Sequence, residues 1–240
     1  MYSIIIPIFN EELTLPELHS RLIAATASLD KPFEVILIDD GSRDKSFELM
    51  KQIHEKDHRF KIISFSRNFG HQIAITAGLD VAEGDAVILM DGDLQDPPEL
   101  LPKMIAKWRE GFQVVYTVKT SRKENPLKRL AFTLFYRVLY ALSSVKIPMD
   151  AGNFSLMDRK VVDVLRRTPE RHRYISGLRA WAGFKQIGIE YAREARFAGE
   201  PQMSIRRLFS LAFDGIFSFS NVPLRAAMYV GFTSAIVAFL

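Results

Sequence analysis

Val87-Ile-Leu-Met-Asp91-Gly-Asp93-Leu-Gln95 sets a hydrophobic run directly before two carboxylates spaced i, i+2. The run is too short for a membrane span and reads as a parallel strand buried on both faces. Where such a strand ends, the chain must leave the sheet, and open α/β sheets bind ligands at that edge. Two acidic groups at a strand end suit a divalent cation better than a core. With hard oxygen donors and no cysteine in the chain, Mg²⁺ or Mn²⁺ is the expected ion, its remaining coordination filled by phosphate oxygens. Asp-Gly-Asp is also ordinary turn chemistry, so the motif is weighed with its neighbours.

Working outward, the first 120 residues alternate strand and helix. Strands are predicted at Ser3–Pro7, Glu34–Ile38, Phe60–Ser64, Ala86–Met90 and Val114–Thr117. Helices are predicted at Leu13–Leu29, Lys45–Lys56, Gln72–Ala82 and Pro98–Glu110. Alternating βα units imply a parallel sheet with right-handed crossovers. Four polar segments then fall at strand ends: Pro7-Ile-Phe-Asn10-Glu11-Glu12, Asp39-Asp40-Gly41-Ser42, Ser66-Arg67-Asn68-Phe-Gly70-His71 and Asp91-Gly-Asp93. In a doubly wound sheet all four converge on one crevice. No G-x-G-x-x-G follows the first strand and no G-x-x-x-x-G-K-[ST] exists, which disfavours a dinucleotide oxidoreductase and a P-loop enzyme.

From Leu127 the character changes. Leu127–Ser143 and Ile205–Ser220 are amphipathic and rich in aromatics and arginine, a composition suited to a membrane interface or to a core-packing helix with a solvated rim. After Arg225 the chain carries no charge, and 226–240 reads as the start of a truncated transmembrane segment, short of the roughly 20 residues that a span needs. The N-terminus lacks a basic leader and a cleavage site, so no signal peptide is expected. The 240 residues are 48% hydrophobic with a net charge of +4. Their basic groups are interspersed with acidic ones rather than gathered in a stripe, which argues against a nucleic-acid partner. The absence of cysteine fits a reducing, cytoplasmic setting.

The ordered set P-x-F-N-E-E, I-D-D-G-S, R-N-F-G, D-G-D-L-Q-D-P-P and D-A-G-N-F resembles family 2 glycosyltransferases, and within them the polyprenyl-phosphate glycosyltransferases related to dolichyl-phosphate mannose synthase. The resemblance runs from about Tyr2 to Arg225. It implies an α/β fold of the glycosyltransferase A type, Rossmann-like with a mostly parallel sheet, followed by amphipathic interface helices and the start of a transmembrane helix. The corresponding division is 1–125 for the nucleotide-sugar-binding half, 126–225 for the acceptor-side half, and 226–240 for the membrane segment. It implies transfer of one sugar, with inversion, from a nucleoside-diphosphate sugar to a polyprenyl phosphate, on the cytoplasmic face of the cell membrane. UDP and glucose are the favoured donor parts, and the aromatic-rich last third leaves room for a homo-oligomer.

The same resemblance implies roles for particular residues. Pro7, Asn10 and Glu12 would line the nucleoside pocket, with Asp39 or Asp40 holding base and ribose and Arg67 at the neighbouring strand end. Asp91 would sit near the ribose or sugar and share the metal with Asp93, the principal ligand, with Gln95 beside it. Arg196 and Ser204 fall in a segment resembling the family's mobile loop over the diphosphate. Arg122, Lys128, Arg129, Arg206 and Arg207 are further candidates for the diphosphate or the acceptor phosphate. Asp150 is the candidate catalytic carboxylate. A phosphate acceptor has its second ionisation at a pKa of about 6 and is largely dianionic at neutral pH, so Asp150 is expected to position the acceptor, with base catalysis optional. Two alternatives are weaker. A sugar nucleotidyltransferase would resemble proteins with a Gly-rich, Lys/Arg-bearing loop near the N-terminus, which is missing. A processive polysaccharide synthase would carry Gln-x-x-Arg-Trp, which neither Trp108 nor Trp181 provides. Another acceptor stays open: a different lipid such as a diacylglycerol, a polysaccharide or a protein.

Overall fold

The computed structural model describes residues 1–119, 151–170, 173–191 and 222–239. Its element order is β1 (Tyr2–Ile8), α1 (Leu15–Thr26), β2 (Phe33–Asp39), α2 (Ser46–Lys56), β3 (Phe60–Ser64), α3 (His71–Val81), β4 (Ala86–Leu89), α4 (Leu101–Arg109), β5 (Val114–Lys119), β6 (Ala151–Asp158), α5 (Arg159–Arg167), α6 (Ile175–Trp181), β7 (Gln186–Tyr191) and α7 (Val222–Phe239). The seven strands form one sheet in the order β3-β2-β1-β4-β6-β5-β7. Neighbours pair in parallel except at β6, which is antiparallel to both β4 and β5.

The central strands are uninterrupted apolar runs because helices cover both faces of the sheet. Ile4, Ile5, Ile6, Val35, Ile36, Ile38, Val87 and Ile88 are all fully buried. Pro7 is tolerated in central β1 for a topological reason. The alternation of ladder bonds turns Ile5 toward β4, where its carbonyl accepts from the Met90 N–H, and so turns Pro7 the same way. The β1–β4 register ends at Ile5 and Leu89, so no ladder partner is lost where Pro7 has no N–H. In α1, Leu15, Leu18, Leu22 and Thr26 form a single buried stripe at helical spacing. The carboxyl end of α3 is held by arginines of α5: Arg166 donates to Leu79 O at 2.7 Å, and Arg159 to Ala82 O at 2.9 Å.

The described chain divides into two compact units, Met1–Arg122 with Asp150–Pro201, and Lys123–Met149 with Gln202–Leu240. Strand β6 pairs with both β4 and β5, so the described residues of Ala151–Asp158 share one sheet with the N-terminal strands. The expected transmembrane start at 226–240 is not supported by the described helix. Helix α7 has 18 residues, Val222–Phe239, and at 1.5 Å per residue spans about 27 Å, short of a hydrocarbon core of about 30 Å. No helix among the described residues is long and apolar enough to cross a membrane. The apolar side chains of α7 from Met228 to Phe239 are nonetheless exposed, Phe232 and Val237 among them. Leu127–Ser143 and Ile205–Ser220, the two expected amphipathic helices, lie outside the described residues.

Candidate active site

The carboxyl ends of β1, β2 and β3 carry a cleft of about 590 Å³, lined among others by Phe9, Asp39, Ser42, Arg43, Phe65, Arg67 and Asn68. Asp39 is the last residue of β2. Its Oδ1 accepts from the Ser42 N–H at 2.9 Å and its Oδ2 from the Ser64 hydroxyl at 3.1 Å. Arg67 packs its guanidinium 4.0 Å from the centre of the Phe69 ring and donates to Asn68 O at 3.1 Å. One wall is set by Gly41, at φ +71°. A Cβ there would collide with the carbonyl carbon of Arg67 and lie 2.7 Å from Asn68 N. Only glycine permits both the left-handed backbone and this approach of two loops.

Asp40 does a different job from Asp39. Its Oδ1 accepts from the Phe69 N–H at 2.7 Å and the Gly70 N–H at 3.2 Å, and its Oδ2 from the Gly70 N–H at 3.0 Å. Burial pushes its pKa up, outweighing the backbone donors that pull it down. Asp40 is not part of the cleft lining; it pins the segment before α3. Asn10 and Glu12 brace the β1–α1 loop against the β2–α2 loop. Asn10, at φ +55°, accepts from the Arg43 N–H at 2.8 Å, while its own N–H donates to Ser42 Oγ at 3.0 Å. Glu12 accepts from the Lys45 N–H at 2.9 Å. Asparagine tolerates the left-handed region better than most residues. Of the expected nucleoside residues, Asp39 and Arg67 thus line the cleft, while Pro7, Asn10, Glu12 and Asp40 do not.

At the end of β4 the chain turns through Leu94, a buried leucine at φ +59°. A left-handed leucine costs on the order of 1–3 kcal/mol and persists only where the surroundings demand it. Here the side chain is anchored in the core at 1% exposure, and the flanking Asp93 and Gln95 are left half-buried. Asp93 Oδ1 accepts from the Gln95 N–H at 3.1 Å, and the next carboxylate, Asp96, accepts from the buried Tyr191 hydroxyl at 2.6 Å. Asp91 Oδ1 lies 2.8 Å from His71 Nε2. Burial lowers the His71 pKa, but the carboxylates of Asp91, Asp40 and Asp93 outweigh it, and the net shift is upward. Among the described residues, no group of three or more His, Cys, Asp or Glu side chains is arranged to hold a metal ion. A pair of carboxylates suits a hard cation that draws its other ligands from phosphate and water, so the donor set fits Mg²⁺ or Mn²⁺.

Asp150, Arg196, Arg122, Lys128, Arg129, Ser204, Arg206 and Arg207 lie outside the described residues. Two further residues emerge only with the tertiary structure. His71 is legible in Gly70-His71 at a strand end, yet nothing in the sequence shows that its ring reaches Asp91. Arg179 on α6 is 1% exposed; its Nη2 lies 3.4 Å from Gly152 O, while Nε and Nη1 have no hydrogen-bond partner among the described residues. Burial pushes its pKa down to about 10. An arginine on a short helix reads as solvated in sequence, so no signal marks it.

Residues 3–166 match Glycosyl transferase family 2. The chain is 46% identical over its full 240 residues to an uncharacterized glycosyltransferase, YkcC, of Bacillus subtilis (strain 168), covering 74% of that protein. It is 37% identical over 239 residues to a prophage bactoprenol glucosyl transferase homolog of Escherichia coli (strain K12), covering 99% of this chain and 78% of that one. Among solved structures, it is similar to glucosyl-3-phosphoglycerate synthase from Mycobacterium tuberculosis in complex with Mn²⁺, uridine-diphosphate-glucose and phosphoglyceric acid. The TM-score is 0.58 over 91% of this chain and 79% of that one, at 18% identity, a likeness of fold. With an α/β sheet of glycosyltransferase A type and acidic strand ends gathered at one edge, the chain belongs to glycosyltransferase family 2.

Proposed function

We propose that this chain transfers a single glucose, with inversion, from UDP-glucose to a polyprenyl phosphate at the cytoplasmic face of a membrane. The observation that carries the reading is the physical linkage of cleft and acidic turn. Asp39 and Arg67 line a cleft of nucleoside size, Asp40 pins Phe69 and Gly70, and the adjacent His71 meets Asp91. The similarity to a bactoprenol glucosyl transferase homolog over nearly the whole chain supports the acceptor and the sugar. The exposed apolar side chains of α7 support contact with lipid.

Asp39 would accept hydrogen bonds from base or ribose, and Arg67 would pack along the base. Asp93, with Asp91, would hold the divalent cation. That ion, when bound, supplies positive charge against the negative charge that develops on the departing diphosphate. In the transfer, an oxygen of the acceptor phosphate bonds to the anomeric carbon as the bond from that carbon to the diphosphate breaks. Asp150 would hold the acceptor in line, and Arg196 and Ser204, with Arg122, Lys128, Arg129, Arg206 and Arg207, would share the phosphate charge. A site that excludes water strengthens each of these contacts.

The test is nucleoside diphosphate release from a panel of sugar nucleotides, with and without polyprenyl phosphate, Mn²⁺ or Mg²⁺, and a chelator. Release from UDP-glucose that requires lipid, metal and Asp93 is expected. Release that persists without lipid, or in Asp93→Ala at the wild-type rate, overturns the assignment.

A further inference from the structure

Three hydrogen-bond contacts run in a line through the start of α3. The Ile175 N–H of α6 donates to Gln72 Oε1 at 3.0 Å. Gln72 Nε2 lies 3.4 Å from His71 Nδ1, and His71 Nε2 lies 2.8 Å from Asp91 Oδ1. The direction of the line is set at its far end, because a backbone N–H can only donate. Ile175 therefore holds the oxygen of Gln72 toward itself, which leaves the amide NH₂ facing the imidazole. In the neutral ring a donor at Nδ1 needs a lone pair there, so the single ring proton belongs on Nε2, aimed at Asp91.

We propose that His71 is a positioning residue for Asp91: Gln72 fixes its tautomer, and its Nε2–H holds the carboxylate in the orientation that meets the sugar nucleotide. The inference rests on the reading of Asp91 as a donor-site residue. The competing account is a surface ion pair, since the His71 and Asp91 side chains are 40% and 29% exposed, and such pairs contribute about 0–1 kcal/mol. An ion pair of that kind needs no contact at the second ring nitrogen. Here that nitrogen meets an amide whose own orientation is dictated by backbone, an arrangement that specifies direction as well as attraction. Partners that orient a ligating group in this way are worth about 10- to 100-fold in affinity or activity when removed. The line also ties the donor site to α6, whose Ser176 donates to Asn153 Oδ1 at 3.0 Å on β6.

The experiment uses the full chain and five variants: His71→Ala, His71→Gln, Gln72→Leu, Asp91→Asn, and the His71→Ala/Asp91→Asn pair. The first readout, without ligand, is ¹⁵N NMR of histidine-labelled protein, with the His71 signals identified by their loss in His71→Gln. A ring protonated at Nε2, becoming a mixture of tautomers in Gln72→Leu, is expected. The second is binding of UDP-glucose with Mn²⁺ by calorimetry, together with KM and kcat for UDP release. His71→Ala should raise Kd and KM about 10- to 100-fold while kcat changes only a few-fold. His71→Gln, whose amide N–H can stand where Nε2–H stood, should recover most of the loss. In the Asp91→Asn background, His71→Ala should add nothing further. A ring protonated at Nδ1, unchanged affinity in His71→Ala, or additive losses with Asp91→Asn overturns the positioning role. Those results leave the donor assignment standing. A wild-type chain that shows the Nε2 tautomer yet binds no UDP-glucose overturns the donor assignment, and with it the presentation of Asp91 to a nucleotide.

Discussion

Replacing Gly41 by alanine separates a steric demand of the site from a general demand of the fold. The backbone at Gly41 has φ +71°, and a Cβ there would lie 2.7 Å from Asn68 N and closer still to the Arg67 carbonyl carbon. Ordinary contact begins at 3.4 Å, so the 67–68 backbone must retreat by about 0.7 Å or more. The left-handed conformation adds roughly 1–2 kcal/mol. Because the atoms in the way are backbone rather than the tip of a flexible side chain, the loop itself must move, and it carries Arg67 and Asn68 of the cleft wall. Misplacement of positioning groups by about 1 Å can cost on the order of 100-fold. Gly41→Ala should therefore lower stability by about 2–5 kcal/mol, combining backbone and overpacking costs, and weaken UDP-glucose binding about 10- to 100-fold. Gly111 provides the control. It has φ +92°, and a Cβ added there would meet nothing within 4 Å. Gly111→Ala should therefore lose only the roughly 1–2 kcal/mol of the backbone cost and bind donor normally. Thermal denaturation and donor titration of both variants decide the matter. Equal losses of stability and equal donor affinity would refute the close approach of the two loops.

Four further outcomes follow from the same structure. Asp39→Asn should weaken donor binding with little loss of stability, whereas Asp40→Ala, which removes the buried carboxylate that accepts from the part-buried Phe69 and Gly70 N–H groups, should cost about 1–3 kcal/mol in chemical denaturation. Because burial raises the Asp40 pKa above its ordinary 3.8, its ionisation contribution is favourable at low pH and is lost as pH rises through the folded value. The stability of wild type relative to Asp40→Asn should accordingly decline from acid toward neutral pH, and a rise would contradict the assignment. Glu34 has the opposite sign. Burial raises its pKa, but the Lys61 ion pair, the Ser3 hydroxyl at 2.5 Å and the Glu83 N–H at 2.9 Å outweigh it, and the net shift is downward. Its contribution is present above the ordinary 4.5 and disappears as pH falls through the folded value, so Glu34→Gln should flatten the acid limb of a stability–pH curve. Arg179→Met replaces a buried cation, two of whose nitrogens have no partner among the described residues, by a residue of comparable length. Its melting temperature should equal or exceed that of wild type, as for other buried charges replaced by apolar groups, and a marked drop would show that the charge is paired.

Much of the architecture was readable because hydrophobic periodicity reports burial directly. Runs such as Ile4-Ile5-Ile6 and Val35-Ile36-Leu37-Ile38 have no polar alternation, and only a strand covered on both faces accommodates that. The polar segments that follow them then had to lie at one edge of a parallel sheet, and β1 to β4 placed them there. Strand and helix boundaries differ by a few residues, as at α1, which runs Leu15–Thr26 rather than Leu13–Leu29, because periodicity marks the buried stripe and not the frayed ends. The insertion of antiparallel β6 between β4 and β5 left no local mark, since its partners are distant in sequence.

The sequence by itself determined that acidic and amide-bearing strand ends would gather at one edge of the sheet, since that follows from burial and chain direction alone. It could not choose between Asp39 and Asp40. Successive residues at a strand end turn to opposite faces, and only the packed structure shows Asp39 turned to the cleft and Asp40 to the backbone of Phe69 and Gly70. The pairing of His71 with Asp91, and the burial of Arg179, likewise depend on where distant elements come to rest. Such contacts are set by crossover geometry and core packing, which join residues that no sequence period relates.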